Sequence, residues 1–183
     1  MTELGMLARE VGTSERTLRR AVNRGAIQAV RKSPRRLLVP SDEYEYVRRR
    51  WPLVGRLVQE LRTLPNVRMA LLFGSVARGE ERPDSDLDVL VELRKDGVHE
   101  RGQLYERLES ASGRPVQLVT LDEAKRAPSL LADVLREGRV LVDRDSTWQR
   151  LKRREAEIQR EGKRADRQLR KRAWAALEEL GIT

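Results

Sequence analysis

The chain has 183 residues, no cysteine, and 38 Lys plus Arg against 29 Asp plus Glu, which gives a formal net charge of +9. This length allows one moderate domain or two small ones. The absence of cysteine excludes disulfides and thiolate metal sites. No apolar run approaches the roughly 20 residues that span a bilayer, and the first residues lack the apolar segment of a signal peptide. We therefore expect a cytoplasmic protein without membrane contact.

The charge is unevenly distributed along the chain. Residues 1–68 carry a net charge of +8, residues 69–144 of −3 and residues 145–183 of +4. A basic front and a basic tail around an acidic middle indicate segments with different roles. The positive excess is compatible with a polyanionic partner, although it says nothing about the fold.

The first 40 residues are predicted to form a small helix-turn-helix. Leu4, Leu7 and Ala8 have helical spacing. Ser14 is suited to cap a second helix, because its hydroxyl can accept from the backbone of the first turn, and Gly25 would end that helix. Two short helices around a tight turn that contains Gly are typical of this motif.

A β-hairpin wing is predicted after these helices, because two apolar runs flank a turn that contains Pro34. Basic and polar residues on the second helix and at the hairpin tip are suited to the base edges and phosphates of double-stranded DNA. These candidate DNA-binding residues are Arg16, Thr17, Arg19, Arg20, Asn23, Arg31, Lys32, Arg35 and Arg36. The segment resembles the winged helix-turn-helix of the MerR and excisionase type, which favours DNA over a solvated basic face on a protein–protein module.

A helical connector is predicted over residues 41–64. Asp42 and Glu43 suit the positive end of the helix dipole, and Leu57 and Leu61 are expected to pack on the next domain. Pro52 is expected to kink this helix or to split it in two.

The stretch FGSVARGEERPDSDLDVLV carries the main candidate site. Gly74 follows an apolar strand and would let backbone N–H groups approach a phosphate. Ser75 supplies a hydroxyl, and the helix that starts there adds partial positive charge. Arg78 is close enough in sequence to reach the same anion, although a structural ion pair with a nearby carboxylate fits equally well.

Asp86 and Asp88 lie two positions apart, on one face of a predicted strand. Two carboxylates this close repel each other unless a cation lies between them, and both are suited to Mg²⁺. The plainer interpretation is a solvated strand end. Each motif alone is weak, but the series of strand, Gly-Ser, helix and Asp-x-Asp strand favours a nucleotide and metal site.

This series resembles the signature of the DNA polymerase β-like nucleotidyltransferase superfamily, and the short chain is most similar to its minimal branch. The resemblance covers roughly residues 66–144 and implies a mixed sheet flanked by helices. It implies that Gly74 and Ser75 hold an NTP. It also implies that Asp86 and Asp88 hold two Mg²⁺ ions during transfer of a nucleoside monophosphate to an acceptor. Such proteins often belong to toxin–antitoxin pairs, which implies a partner protein.

The sequence departs from this family pattern at the third carboxylate. The later strand reads RPVQLVTLDEA, so Gln117 stands where the family has Asp. Gln can ligate weakly but cannot accept a proton, and removing a general base typically costs about 10²–10⁴-fold. Asp122 and Glu92 are too distant along straight strands to substitute. His99 is expected to be a solvated surface residue.

Residues 145–183 are predicted to form a basic amphipathic helical tail. The apolar stripe of its second half consists of Leu169, Ala173, Trp174, Leu177 and Leu180. We expect this stripe to dock on the chain's own domains or on a twin subunit, rather than to extend a nucleic-acid surface. The sequence does not decide whether the protein is a homodimer.

The sequence thus predicts an α+β protein with four segments. These are a winged helix-turn-helix DNA-binding domain (1–40), a helical connector (41–64), a nucleotidyltransferase domain with a mixed sheet (65–144) and a helical tail (145–183). We favour an Mg²⁺-dependent nucleotidyltransferase that binds DNA. The alternative is a catalytically impaired nucleotidyltransferase-like domain in a DNA-binding regulator or antitoxin-type protein.

Overall fold

The computed structural model describes residues 1–33 and 36–179. Three residues of the sequence predictions, Pro34, Arg35 and Leu180, lie outside the described residues. The front of the chain contains β1 (Thr2–Glu3), α1 (Leu4–Glu10), α2 (Glu15–Arg24), β2 (Val30–Arg31) and β3 (Leu37–Val39). Strands β1 and β2 both pair antiparallel with β3, which lies between them.

Helix α2 begins and ends as the local sequence predicts. The Ser14 hydroxyl accepts a hydrogen bond from the backbone N–H of Thr17 at 3.1 Å, and Gly25 ends α2 with a φ of +95°. Leu4 and Leu18 are buried in a small core between the helices and the sheet. A short helix pair thus gains its stability from this shared apolar contact.

Helix α3 (Ser41–Arg62) is continuous through Pro52, so the predicted split does not occur. Proline inside a helix removes one hydrogen bond and costs about 3 kcal/mol. Burial on both sides of the proline offsets this cost: Val47 packs in the front core, while Leu57 and Leu61 pack against the central sheet as predicted.

The central part is a four-stranded mixed sheet. Its elements are β4 (Val67–Phe73), α4 (Gly74–Arg78), β5 (Leu87–Leu93), α5 (Val98–Ser112), β6 (Val116–Thr120), α6 (Leu121–Arg126), α7 (Pro128–Glu137) and β7 (Arg139–Asp143). The strand order is β6-β5-β4-β7, with β5 and β6 parallel and the other pairs antiparallel. The mixed sheet agrees with the prediction.

Both faces of this sheet are buried. Along β4, Ala70 and Leu72 face the core that contains α3 and α5, whereas Met69 and Leu71 face the core that contains α6 and α7. Side chains alternate between the faces of a strand, so a strand that is covered on both faces is apolar throughout.

The tail consists of α8 (Thr147–Arg153) and α9 (Glu155–Glu179). Gly162 lies inside α9, where glycine is less favourable than alanine. It is buried, and an added Cβ would lie 2.7 Å from the Cβ of Ala132, so the glycine allows α9 to pack closely on α7.

The described part of the tail stripe does not dock on the chain's own domains, and docking on a twin subunit, the other predicted possibility, stays a prediction. Leu169 is 68% exposed and Trp174 is 59% exposed, so most of the surface of these two side chains is uncovered. Within the described ranges we find no helix with the length and apolar character of a membrane span.

A buried ion pair joins the front of the chain to the central sheet. Arg139 donates to both carboxylate oxygens of Glu43, at 2.6 and 3.0 Å. Its Nε donates to the carbonyl oxygen of Ala77 at 2.6 Å, and its guanidinium lies 3.4 Å from the ring centroid of Tyr46. Glu43 also accepts from the backbone N–H of Gln28 at 3.0 Å. This pair therefore connects α3, β7, α4 and the front core.

Candidate active site

The end of β4 and the start of β5 bring the two predicted motifs together. Phe73 and Asp88 are partners in the antiparallel register, so Gly74 begins α4 beside the Asp88 side chain. Asp88 is half-buried on β5, and Asp86 is exposed just before the strand. Ser75 follows Gly74 in the first turn of α4 and is half-buried.

Glycine is required at position 74 for two reasons. Its φ is +71°, a conformation that residues with a Cβ rarely adopt. An added Cβ would also lie 3.0 Å from Cγ of Asp88 and would overlap the carboxylate. The Gly74 backbone therefore lies directly against the Asp88 carboxylate.

The electrostatics around Asp88 are those of an anionic pair. Burial raises the pKa of Asp88 above its usual range, and the charges of Asp86 and Glu137 raise it further, while Arg78 lowers it. A divalent cation would favour the ionised form of both aspartates by relieving this repulsion. The donor set fits Mg²⁺, which takes one or two carboxylates and completes its shell with water and substrate phosphates.

Arg78 forms an ion pair with Glu80, as the sequence allowed, and a second ion pair with Glu137, which the sequence did not indicate. Its Nε donates to Glu80 at 2.7 Å, and its Nη1 donates to Glu137 at 2.8 Å. Glu137 also accepts from the backbone N–H of Gly74 at 3.3 Å. Sequence reasoning missed Glu137, because it is 63 residues from Gly74 and no local motif marks it.

Gln117 lies beside Asp88 on the neighbouring parallel strand. Gln117 is therefore directly opposite Asp88 in the register of the two strands, and its side chain is exposed. Three other residues were considered as a substitute for the third carboxylate or as a base. Glu92 accepts a hydrogen bond from Thr147, Asp122 forms an ion pair with Lys125, and His99 is exposed on α5. In the part of the chain that the structure describes, no group of three or more His, Cys, Asp or Glu residues could hold a metal ion.

The polymerase beta nucleotidyltransferase model matches residues 56–147, which is half of the chain. The chain belongs to this nucleotidyltransferase family. The matched segment begins in the second half of α3 and contains the whole sheet, Gly74, Ser75, Asp86 and Asp88. A comparison with curated protein sequences finds no significant match.

Solved structures similar to this chain include toxin–antitoxin complexes. One, a complex with AMP-PNP, has 23% identity and a TM-score of 0.49, and the similarity covers 69% of this chain and 97% of that one. An MntA–HepT complex has 22% identity and a TM-score of 0.44, covering 70% and 96%. A complex of tri-AMPylated Shewanella oneidensis HEPN toxin with MNT antitoxin has 22% identity and a TM-score of 0.44, covering 70% and 95%.

The candidate DNA-binding residues lie on α2 and on the β2–β3 hairpin. Those with exposed side chains are Arg16, Thr17, Arg20, Asn23, Arg31, Lys32 and Arg36. Arg19 is half-buried and pairs with Glu15 at 2.6 Å. The remaining basic residue, Arg35, lies outside the described residues.

Two of the exposed candidates bond to each other, and two have other partners. Arg31 donates to Asn23 at 3.2 Å, which connects the hairpin to α2. Arg36 pairs with Glu3 at 3.2 Å, and the Thr17 hydroxyl bonds with the N-cap of α2 at 2.8 Å. The hairpin and the second helix therefore present one basic surface.

Proposed function

We propose that the protein is an Mg²⁺-dependent nucleotidyltransferase that transfers a nucleoside monophosphate from an NTP to an acceptor. The observation that carries this proposal is the contact between the positive-φ Gly74 backbone and the carboxylate of Asp88, with Asp86 two residues away. A triphosphate with its metal ions explains both features. Its phosphates can approach the Gly74 backbone closely because glycine has no Cβ, and its metal ions relieve the repulsion between the two carboxylates.

In this mechanism Gly74 and Ser75 hold the triphosphate, through backbone N–H groups and the Ser75 hydroxyl. Arg78 adds positive charge at the same place. Asp86 and Asp88 would hold the Mg²⁺, which supplies charge stabilisation for the phosphate oxygens when bound. Both aspartates must be ionised for this role, and Asp88 is the one whose pKa is raised by burial.

Activation of the acceptor is the weak step of this site. Because Gln117 cannot accept a proton, the acceptor hydroxyl loses its proton to water or to another group of the acceptor molecule. We expect slow transfer on this ground, by about 10²–10⁴-fold relative to a site with a carboxylate base.

The test is transfer of label from an α-labelled NTP, together with calorimetric titration of each NTP with Mg²⁺ and with EDTA. We expect Mg²⁺-dependent binding and labelling of a protein or nucleic-acid acceptor, both lost in Asp86→Asn. Asp122→Asn is the matched control, because Asp122 is exposed on α6 and pairs only with Lys125 in the described part of the chain. If no NTP binds wild type in Mg²⁺, the proposal fails.

A second proposal is that residues 1–40 form a winged helix-turn-helix that binds double-stranded DNA, so that the protein acts as a DNA-binding regulator. The basic surface formed by α2 and the β2–β3 hairpin favours DNA binding, and Gln117 favours a site whose catalysis is impaired.

The test is the salt dependence of binding to duplex DNA. Each lost phosphate contact should reduce, by about 1, the steepness with which the logarithm of the DNA association constant falls with the logarithm of the salt concentration. We therefore expect Lys32→Ala to weaken duplex binding and to flatten its salt dependence. Binding of wild type that does not change with salt would exclude phosphate contacts.

A further inference from the structure

A basic cavity of about 280 Å³ lies between α2 and α3, away from the residues of the active site. Arg20 and Arg24 line it from α2, and Arg62 lines it from the end of α3. Trp51 contributes an aromatic surface. No acidic residue is among its lining residues.

In the described part of the chain, the three arginines of this cavity have no carboxylate partner. Burial and the neighbouring charge of Arg62 lower the pKa of Arg24 to about 10, so Arg24 still carries its charge at neutral pH. Its Nε donates to the carbonyl oxygen of Val140 at 3.1 Å. Within residues 1–33 and 36–179, none of the three guanidiniums lies within 4.0 Å of a carboxylate. Arg24 is half-buried, whereas Arg20 and Arg62 are exposed, and like charges around a half-buried guanidinium favour binding of an anion.

Gly55 keeps the cavity open. It lies inside the 22-residue helix α3, where glycine is about 1 kcal/mol less favourable than alanine. Packing does not explain the glycine, because an added Cβ would have no heavy atom within 4 Å. A larger side chain at this position would project into the cavity that Gly55 lines.

We propose that this cavity binds a small phosphate-bearing anion, such as a nucleoside monophosphate, without a metal ion. Guanidinium groups bind phosphate oxygens through paired N–H donors, and a partly buried site strengthens such bonds. The ring of Trp51 offers a surface on which a base can stack. The volume is close to the lower end of the roughly 300–1,000 Å³ that small-molecule pockets occupy. The proposal is independent of the proposed transferase activity, since it uses none of the residues Gly74 to Asp88.

The test is calorimetric titration of AMP and of pyrophosphate at low salt in EDTA, which removes the metal-dependent active site from the measurement. We expect both ligands to bind wild type. Arg62→Gln should weaken binding about 10-fold, the usual effect of losing one charge-assisted hydrogen bond. Gly55→Leu should weaken binding at least as much by filling the cavity while keeping all three arginines.

The matched control is Gly102→Leu, because Gly102 is an exposed glycine inside α5 with no heavy atom within 4 Å of an added Cβ. We expect it to bind like wild type. Both leucine variants should raise the melting temperature through helix propensity, so lost binding in Gly55→Leu would not reflect unfolding.

Three results would overturn the proposal. The first is that neither anion binds wild type, and the second is that binding is unchanged in both Gly55→Leu and Arg62→Gln. The third concerns the phosphates of DNA, because Arg20 is also a candidate DNA-binding residue. If Gly55→Leu loses duplex DNA binding while the small anions bind neither protein, the cavity holds a backbone phosphate instead.

Discussion

Glu43→Gln should destabilise the fold strongly, because it leaves the guanidinium of Arg139 buried without a counter-ion. Glu43 is 4% exposed and Arg139 is 7% exposed. The substitution keeps the volume of the side chain and one of the two acceptor oxygens. Removing one partner of a buried pair costs about 3–5 kcal/mol, out of a total stability that is typically about 5–15 kcal/mol.

The assay is urea denaturation followed by circular dichroism, with the midpoint and slope fitted for each variant. Glu45→Gln is the matched control, since Glu45 lies two residues further along α3, is exposed, and pairs with Arg48 and Arg49. An exposed pair of this kind contributes about 0–1 kcal/mol, so the control should remain close to wild type.

A double-mutant cycle separates the ion pair from general packing loss. Glu43→Met combined with Arg139→Met removes both charges, so it should cost less than the sum of the single substitutions by more than about 1 kcal/mol. The reasoning is refuted if Glu43→Gln costs less than about 1 kcal/mol, or if the two methionine substitutions are additive.

Four further predictions concern the site and its surroundings. Gly74→Ala should lower the affinity for Mg²⁺–NTP at least about 10-fold and destabilise the fold by about 1–3 kcal/mol, since the new Cβ meets Asp88 in a strained conformation. Glu137→Gln should raise NTP affinity about 5-fold, because it removes a negative charge that accepts from the Gly74 N–H. Gln117→Asp should increase the rate of transfer by about 10²-fold, since it supplies a base beside Asp88. In Glu123, a hydrogen bond from the backbone of the capping residue and a neighbouring guanidinium hold the pKa at about 2. This carboxylate therefore stabilises the fold above its ordinary pKa, and the stability difference from Glu123→Gln should vanish as the pH falls through about 2.

These four predictions use calorimetry for affinity, label transfer for rate, and chemical denaturation for stability. Gly102→Ala serves as the control for the glycine substitution, because it lies on another helix with open space around it. Unchanged NTP binding in Gly74→Ala would show that the glycine serves only the fold. Weaker NTP binding in Glu137→Gln would show that this carboxylate positions the loop instead of competing with phosphate. A stability difference for Glu123→Gln that does not depend on pH would contradict the assigned cause of its pKa.

The sequence by itself determined the features that depend on neighbouring residues. Ser14 and Gly25 predicted the limits of α2, because caps act within one turn of the helix. The apolar strand, the Gly74-Ser75 pair and the Asp86/Asp88 pair predicted adjacent elements, and short connections in a sheet bring such elements together. The mixed sheet followed from the family resemblance that these residues carry.

Only the tertiary structure decided the features that join distant parts of the chain. Glu43 and Arg139 are 96 residues apart, and neither position carries a local signal of the other. Continuity of α3 through Pro52 depended on burial at both of its ends, which local propensity cannot show. In the sequence alone, Gly162 only weakens the predicted helix. The structure explains why glycine occupies this position, because Ala132 approaches too closely for a larger residue. Local periodicity predicts which face of a helix or strand is buried. Which other element packs on that face depends on the packing of the whole molecule.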